Sequence, residues 1–425
     1  MDIERFTTHS LRNARLMRIL SAALDAVEPG AAVRRFLESH PLPHAKRLFG
    51  LAVGKAAVPM MDALQSVSAL DGGLAITKHA PLDGLRPYRL SEGAHPVPDG
   101  RSVAAGEAAL DFVHQLTPDD LLVCLISGGG SALMSAPLLP LPQLQKLTSA
   151  LLASGARIDE INTLRRHLDR VKGGGLAAAG NGARILSLIL SDVVGNPLEA
   201  IASGPTAPDP TTRADALRLM QSYHLEGPGS QQVSAAMRET LKPGDPIFSR
   251  VENVIIGSIE IAAQAALAQA GREGFDAELL TASLQGEARE VGRELAGRLR
   301  SERGKRSGPF CAIAGGETTV TLHGRGRGGR NQELALSAVP VLRGLEDALL
   351  LSLATDGEDG PTDAAGAVVT GESMARALSL GLDAGAALAE NDSYPFFEAL
   401  GDLIRTGPTG TNVNDLVVMA SGLGS

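Results

Sequence analysis

Residues 121–131 read Leu-Leu-Val-Cys-Leu-Ile-Ser-Gly-Gly-Gly-Ser. Six apolar residues in a row, without polar alternation, predict a strand buried on both faces, as in a parallel sheet covered by helices. The glycines that follow let backbone N–H groups approach an anion closely. A helix beginning near Ala132 would add a favourable partial charge. The candidate phosphate-binding residues are therefore Ser127, Gly128, Gly129, Gly130 and Ser131. Neither the GxxxxGK[ST] spacing nor GxGxxG fits this loop, and a tight strand-to-helix turn is the competing reading.

Similar runs lie on either side: LFGLAV at 48–53, LAIT at 74–77 and ILSLIL at 185–190. Helical patterns around 57–66, 102–115, 143–153 and 160–170 separate them, which is the βαβ rhythm of a parallel sheet. Leu16, Leu20, Leu24 and Val27 recur at helical spacing, so the first 30 or so residues read as one amphipathic helix. The stretch KPGDPIF at 242–248 marks a domain boundary. Beyond it, NVIIG at 253–257, AELLT at 277–281, FCAIAG at 310–315, TTVTL at 318–322, LLLSLAT at 349–355 and DLVVMA at 415–420 read as strands of a second unit. The strands at 310–315 and 318–322 are too close for a helical crossover, so this second sheet is expected to be mixed. The expectation is an α/β chain of two different domains, 1–242 with a Rossmann-like, mainly parallel sheet and 243–425 with a mixed sheet. A cleft is expected between them, and residues 1–35 are a helix free to pack elsewhere.

Composition narrows the function. With 44% hydrophobic and 20% charged residues, the 425-residue chain is an ordinary globular protein. A net charge of −9 argues against nucleic acid as a partner. No apolar run reaches the ~18 residues that span a bilayer, and the acidic Asp2 and Glu4 do not suit a signal peptide, so a cytoplasmic location is expected. Cys124 and Cys311, both inside apolar runs, are expected to be reduced and buried. The nine histidines show no zinc-ligand spacing, and no G-x-S-x-G elbow is present.

Several strand ends carry chemistry. Lys55 follows the first strand at a helix start, where a lysine is electrostatically unfavourable unless it meets an anion. Asp192, after the run at 185–190, is placed to act as a general base toward a hydroxyl, or merely to cap a turn. Asp209 looks like turn chemistry. Lys172-Gly173-Gly174-Gly175, after Arg165, Arg166 and Arg170, reads as a helix cap with solvated arginines more than as an anion site. Arg325, Arg327 and Arg330 ride on glycine-rich backbone suited to phosphate or carboxylate. Gly324, Gly326 and Gly329 match GxGxxG, but in a poor context. Asp356, Asp359 and Asp363 form an oxygen-rich loop able to hold a divalent ion through one or two direct ligands. Asn412 and Asn414, in Thr-Gly-Thr-Asn-Val-Asn-Asp at 409–415, suit hydroxyl recognition.

These blocks, taken in order with Ala94-His95-Pro96-Val97-Pro98-Asp99, Ser203-Gly204-Pro205-Thr206 and Gly315-Gly316-Glu317-Thr318, resemble the glycerate 2-kinase family. That family carries a C-terminal MOFRL domain, and its members have often been labelled hydroxypyruvate reductases. The likeness spans nearly the whole chain. It implies ATP-dependent phosphorylation of D-glycerate at O2 with Mg2+ or another divalent cation. Lys55 and Arg330 look like the family's lysine and arginine, and with Asp192 they are the expected catalytic residues. Asp356, Asp359 and Asp363 are the expected metal ligands, and Asn412 and Asn414 the expected substrate contacts. Small molecules are the expected partners, with a second copy of the chain as the candidate protein partner. An NAD(P)H-dependent hydroxypyruvate reductase is the alternative.

Overall fold

The computed structural model describes residues 1–80, 86–225, 230–306 and 308–423. The chain forms two compact units, Pro29–Ile256 and a discontinuous one made of Met1–Glu28 and Gly257–Ser425.

The first unit is built on a six-stranded sheet. Its strands are β1 (Leu48–Val53), β2 (Gly72–Thr77), β3 (Arg89–Glu92), β4 (Leu121–Ile126), β5 (Arg184–Leu190) and β6 (Val251–Gly257), in the order β3-β2-β1-β4-β5-β6. β1 runs parallel to β2 and β4, β2 to β3, and β4 to β5. All six side chains of β4 are buried, as the unbroken apolar run requires. Phe49, Leu51, Val53, Leu122, Cys124, Ile126, Ile185 and Ile189 share one core with the helix Gly100–His114. The order is Rossmann-like, and the strand sequence reverses between β1 and β4. Such a switch point opens a crevice at the carboxyl ends of those strands, which is where open α/β sheets bind ligands.

Two expectations are corrected in this unit. Residues 253–257 do form a strand, but it is the edge strand beside β5 and not part of the second sheet. An apolar run reports that it pairs, not with which neighbour. The helices Leu141–Ala153 and Ile158–His167 are more than crossovers. Together with Arg213–Ser222 and Ser230–Ala236 they enclose a separate small core of Leu147, Leu151, Ile161, Leu164, Ala216 and Met220.

The second unit has the order β11-β10-β9-β12-β8-β7, with β7 (Asp276–Leu284), β8 (Phe310–Gly316), β9 (Ala348–Ala354), β10 (Gly366–Thr370), β11 (Leu403–Ile404) and β12 (Asp415–Ser421). The sheet is mixed, though not because of a strand at 318–322. That segment makes only an isolated bridge from Thr319 to Glu287. The mixture arises because β12 inserts antiparallel between β8 and β9, while β7 runs parallel to β8.

The expected single N-terminal helix is also divided. A first helix, Ala14–Ala26, is capped by Asn13, whose side chain accepts from the N–H groups of Arg15 and Leu16. Pro29 then opens a second, Pro29–Ser39, as its fixed φ and missing N–H favour at a first helical position. The first helix packs on Ile259–Arg272. There Arg15 donates to Glu273 O at 2.9 Å and lies 4.0 Å over the Phe275 ring, and Arg18 pairs with Glu273 at 2.7 Å. Both cysteines are buried and free, with burial pushing each thiol up to about 12. Among the described residues no helix is long and apolar enough to cross a membrane.

Candidate active site

At the switch point the loops after β1 and β4 are laced together. The N–H of Lys55 donates to Gly128 O at 2.9 Å, and that of Ala56 to Ser127 Oγ at 3.1 Å. Gly54 has φ +125°, and a Cβ there would lie 2.1 Å from Ser127 Oγ, so only glycine permits this approach. Gly129, with φ +84°, brings Lys55 and His95 together: a Cβ on it would sit 3.1 Å from His95 Cδ2 and 3.5 Å from Lys55 Cγ. The Lys55 side chain is exposed.

The glycine loop is a cradle of donors. Among the described residues, the N–H groups of Gly128, Gly129 and Gly130 have no acceptor within the protein, although Gly128 and Gly130 are buried. A buried N–H left unpaired costs about 1–3 kcal/mol, so such a cluster calls for water or a bound anion. The helix after it is a single turn, Gly130–Leu133, shorter than expected, so its dipole adds little and the amides themselves carry the interaction.

Asp192, after β5, presses on this loop. A Cβ on Gly128 would lie 2.2 Å from its Oδ2. On the other flank Ser131 Oγ meets Ser203 Oγ at 2.8 Å. Ser203 lies in a strained segment where Ala202, Ser203 and Gly204 have φ of 50°, 61° and 60°. Two consecutive non-glycine residues in the left-handed region store strain of order 1–3 kcal/mol each, a feature concentrated at functional sites. Burial, reinforced by Lys55 and Lys78, pushes the His95 imidazole below its ordinary value, so at pH 7 it is a neutral hydrogen-bonding group and not another cation. Lys55, the Ser127–Ser131 loop and Asp192 are thus brought together as the sequence suggested. His95 and Ser203 are additions that sequence reasoning missed. Their signal was the placement of short, loop-forming motifs, which composition alone does not tie to a strand end.

Lys172 and Asp209 prove to be structural groups of the first unit. Lys172 is buried and pairs with Asp169 at 2.5 Å. Asp209 is more than a turn residue. It is fully buried against Arg166 at 3.0 Å and accepts from Thr211 and Thr240, which outweigh burial and hold its carboxyl below the usual range. Arg166 is therefore not solvated.

In the second unit the register does the assembling. Asp415 at the start of β12 pairs with Gly316 at the end of β8 and with Ala354 at the end of β9. This brings Glu317, Thr355-Asp356 and Asn414 to one edge, beside the N-terminus of the helix Arg330–Leu342. Arg330 donates to both Asp415 oxygens, at 2.6 and 3.1 Å, and to Glu317. Burial pushes the Asp415 carboxyl up to about 7, against the opposing pull of Arg330. Asn412 and Asn414 lie at the same edge. Asn412 Oδ1 accepts from the Asn414 N–H at 3.2 Å, and Asn414 O accepts from Thr355 Oγ1 at 2.7 Å.

The three aspartates do not fit a metal centre. Asp359 is buried and caps the helix Arg330–Leu342 from outside, accepting from the N–H groups of Asn331 at 3.1 Å and Gln332 at 2.9 Å. Burial raises its pKa. Asp363 points to Tyr394 Oη at 2.6 Å and Arg405 Nε at 3.2 Å. Only Asp356, half-buried and accepting from the Glu358 N–H, keeps coordinating capacity. Among the described residues no group of three His, Cys, Asp or Glu side chains is arranged to hold a metal ion. The GxGxxG match is corrected as well. A Cβ on Gly324 or Gly326 would strike Glu390 or Asp392, and one on Gly329 would strike Asp359, each within 2.6 Å. These glycines serve close packing and leave no pyrophosphate cradle.

Comparison with known proteins agrees with this architecture. Residues 15–241 match a domain of unknown function, DUF4147, and residues 310–415 match the MOFRL family. The chain is 42% identical to a D-glycerate 2-kinase of Thermotoga maritima, covering 97% of this chain and 99% of that protein. It is 39% identical to a glycerate 2-kinase of Pyrococcus horikoshii, covering 95% and 96%. A crystal structure of glycerate kinase from Thermotoga maritima superposes with a TM-score of 0.90 at 41% identity, covering 96% of this chain and 99% of that one. On its sequence, its two sheets and the residues gathered at their edges, the chain belongs to the glycerate 2-kinase family, in which a DUF4147 domain is joined to a MOFRL domain.

Proposed function

We propose that the protein transfers the γ-phosphoryl group of ATP to O2 of D-glycerate, giving 2-phosphoglycerate and ADP. The observation that carries this reading is the set of unpaired amides of Gly128, Gly129 and Gly130 at the β1/β4 switch point. Phosphoryl transfer asks for little covalent chemistry from the protein, and depends on positioning and on charge stabilisation. The three N–H groups donate to phosphate oxygens, and Lys55 offsets the charge on the group in flight. Asp192 orients the 2-hydroxyl and takes its proton as the O2–P bond forms and the bond to the leaving ADP oxygen breaks. His95, neutral, donates to or accepts from the substrate without adding charge. The names of the relatives support glycerate as acceptor. Asp356 is the one of the three aspartates that would help to hold a divalent cation, which would supply charge neutralisation on the nucleotide's phosphates.

In the second unit Arg330 is a further candidate group, held by Asp415 and Glu317. The reductase alternative rested on Gly324–Gly329, and the packing of that segment against 390–392 removes its support.

The test is incubation with D-glycerate, ATP and Mg2+, followed by phosphorus NMR and enolase-coupled detection. A 2-phosphoglycerate signal is expected. A 3-phosphoglycerate signal would keep the kinase and overturn the position of transfer. No ATP consumption, with NADH oxidised by hydroxypyruvate, would overturn the kinase reading.

A further inference from the structure

Several of the cations withdrawn from solvent among the described residues are paired. Arg166 meets Asp209, Lys172 meets Asp169, Arg289 meets Glu333 and Arg376 meets Asp402. Arg165, on the helix Ile158–His167, has no hydrogen-bonded or ion-paired partner for its guanidinium among the described residues, yet it is half-buried. Burial lowers its pKa with nothing acting in the opposite direction. A guanidinium nevertheless stays charged, and an unpaired charge removed from water is retained only where something pays for it.

The surroundings indicate what that is. Arg165 lines a small cavity with Ser131, Ser135, Thr148 and Lys172. Ser131 is the last residue of the phosphate-binding loop. The carboxylate at this cavity, Asp169, is already saturated. It accepts from Lys172 Nζ at 2.5 Å, Ser135 Oγ at 2.6 Å, and the N–H groups of Val171 at 2.9 Å and Ala136 at 3.2 Å. Lys172 and Asp169 cancel, so the cavity keeps one uncompensated positive charge, with the Thr148 hydroxyl also on its wall. Its free volume of about 10 Å³ is room for roughly one water-sized group. An anion with a small, planar head and a single charge matches both properties. A phosphate, with three terminal oxygens and up to two charges, matches neither.

We propose that Arg165 is the anchor for the substrate's carboxylate, binding it through two parallel N–H···O bonds with one of its oxygens entering the mouth of the cavity lined by Ser131 and Thr148. This rests on the reading of the protein as a glycerate kinase, and names the group that recognises the acid end of the acceptor. It places the carboxylate on the Ser131 side of the loop and the phosphoryl donor over Gly128–Gly130, with the 2-hydroxyl between them.

The experiment measures steady-state kinetics for both substrates, together with calorimetric binding of D-glycerate without nucleotide, in the wild type, Arg165→Gln and Arg165→Lys. A bidentate charge-assisted pair is strong, so Arg165→Gln is expected to raise KM for D-glycerate on the order of 100-fold. KM for ATP is expected to stay within about threefold, since uniform binding to one substrate is what has been removed. The preference for D-glycerate over uncharged glycerol is expected to shrink by a similar factor. Arg165→Lys, which keeps the charge and loses the fork, is expected to fall between, and it serves if the glutamine variant does not fold. A rise in KM for ATP instead would assign the anion to the nucleotide and overturn the proposal. Unchanged D-glycerate binding in both variants would overturn it while leaving the kinase intact. A wild-type protein that neither binds nor phosphorylates D-glycerate would overturn the functional reading and the anchor together.

Discussion

Replacing Gly128 by alanine separates the base from the cradle. The new methyl carbon would lie 2.2 Å from Asp192 Oδ2 and 2.8 Å from its Cγ, whereas ordinary contact begins at 3.4 Å. The carboxylate must therefore retreat by about 1.2 Å. What stands in the way is the far end of a half-buried side chain and not backbone, so the retreat is available and the fold is expected to hold. A misplacement of about 1 Å at a reacting group costs on the order of 10²-fold in rate. Gly128→Ala is accordingly expected to lower kcat on D-glycerate about 10²-fold, read by coupled ADP release. Its melting temperature is expected to stay within about 3 °C of the wild type, read by calorimetry. Asp192→Ala and the double variant complete a cycle. If the methyl acts by displacing Asp192, the double variant is no slower than Asp192→Ala alone, because the two changes remove the same interaction. A Gly128→Ala enzyme with wild-type kcat would refute the placement of Asp192 as base. A double variant slower by a further factor of ten or more would show that the methyl obstructs the phosphate cradle instead.

Three further outcomes follow from the same geometry. Lys55 is exposed, so Lys55→Ala is expected to change stability by less than about 0.5 kcal/mol while lowering kcat/KM for ATP on the order of 10²-fold; an equal loss of stability and activity would mark it as structural. Arg330→Ala leaves Asp415 buried without its partner, so urea unfolding is expected to show a loss of about 3 kcal/mol, with kcat reduced on the order of 10³-fold; a loss below about 1 kcal/mol would show that the pair is dispensable to the fold. Asp415 supplies the pH dependence: with its pKa raised to about 7, the folded state holds this proton more tightly than the unfolded state, whose value is about 3.9. That contribution is complete below pH 4 and disappears as pH rises through 7. Asp415→Asn cannot ionise, so its melting temperature minus that of the wild type is expected to increase from pH 5 to pH 8, and a flat difference would contradict the shift.

The strands of the first sheet were legible because burial on both faces leaves a mark in every residue, as in Leu121–Ile126. Their carboxyl ends then pointed to Lys55, Gly128–Gly130 and Asp192, since ligands gather there whatever the chemistry. Partnership was less legible. Residues 253–257 announce a strand, yet only the tertiary fold sets it beside β5. The polar alternation of Thr318–Leu322 imitates a half-buried strand, although the segment makes one bridge. Charged residues were the hardest to read. Asp359 looks like any loop carboxylate until the amides of Asn331 and Gln332 are found against it. Arg165 and Arg166 are adjacent in sequence, and only their neighbours in space distinguish a neutralised guanidinium from an uncompensated one.

The insertion of β12 between β8 and β9 has a consequence for how the protein is made. The second unit is discontinuous, and the strand at the middle of its sheet, Asp415–Ser421, is synthesised after all five of its other strands. The helix Ala14–Ala26 must wait while the whole of Pro29–Ile256 is translated before Ile259–Arg272 appears beneath it. β8 and β9 wait as well. With elongation at about 5–20 residues per second, the interval between the end of β9 and the end of β12 is roughly 3–13 s. Throughout it, two strands whose residues are all buried in the finished sheet each present an unpaired edge. The first unit can close before Ile259–Arg272 is made, whereas the second completes its sheet only once β12 has been added, so the nascent chain is most exposed to mispairing between the synthesis of β9 and that of β12.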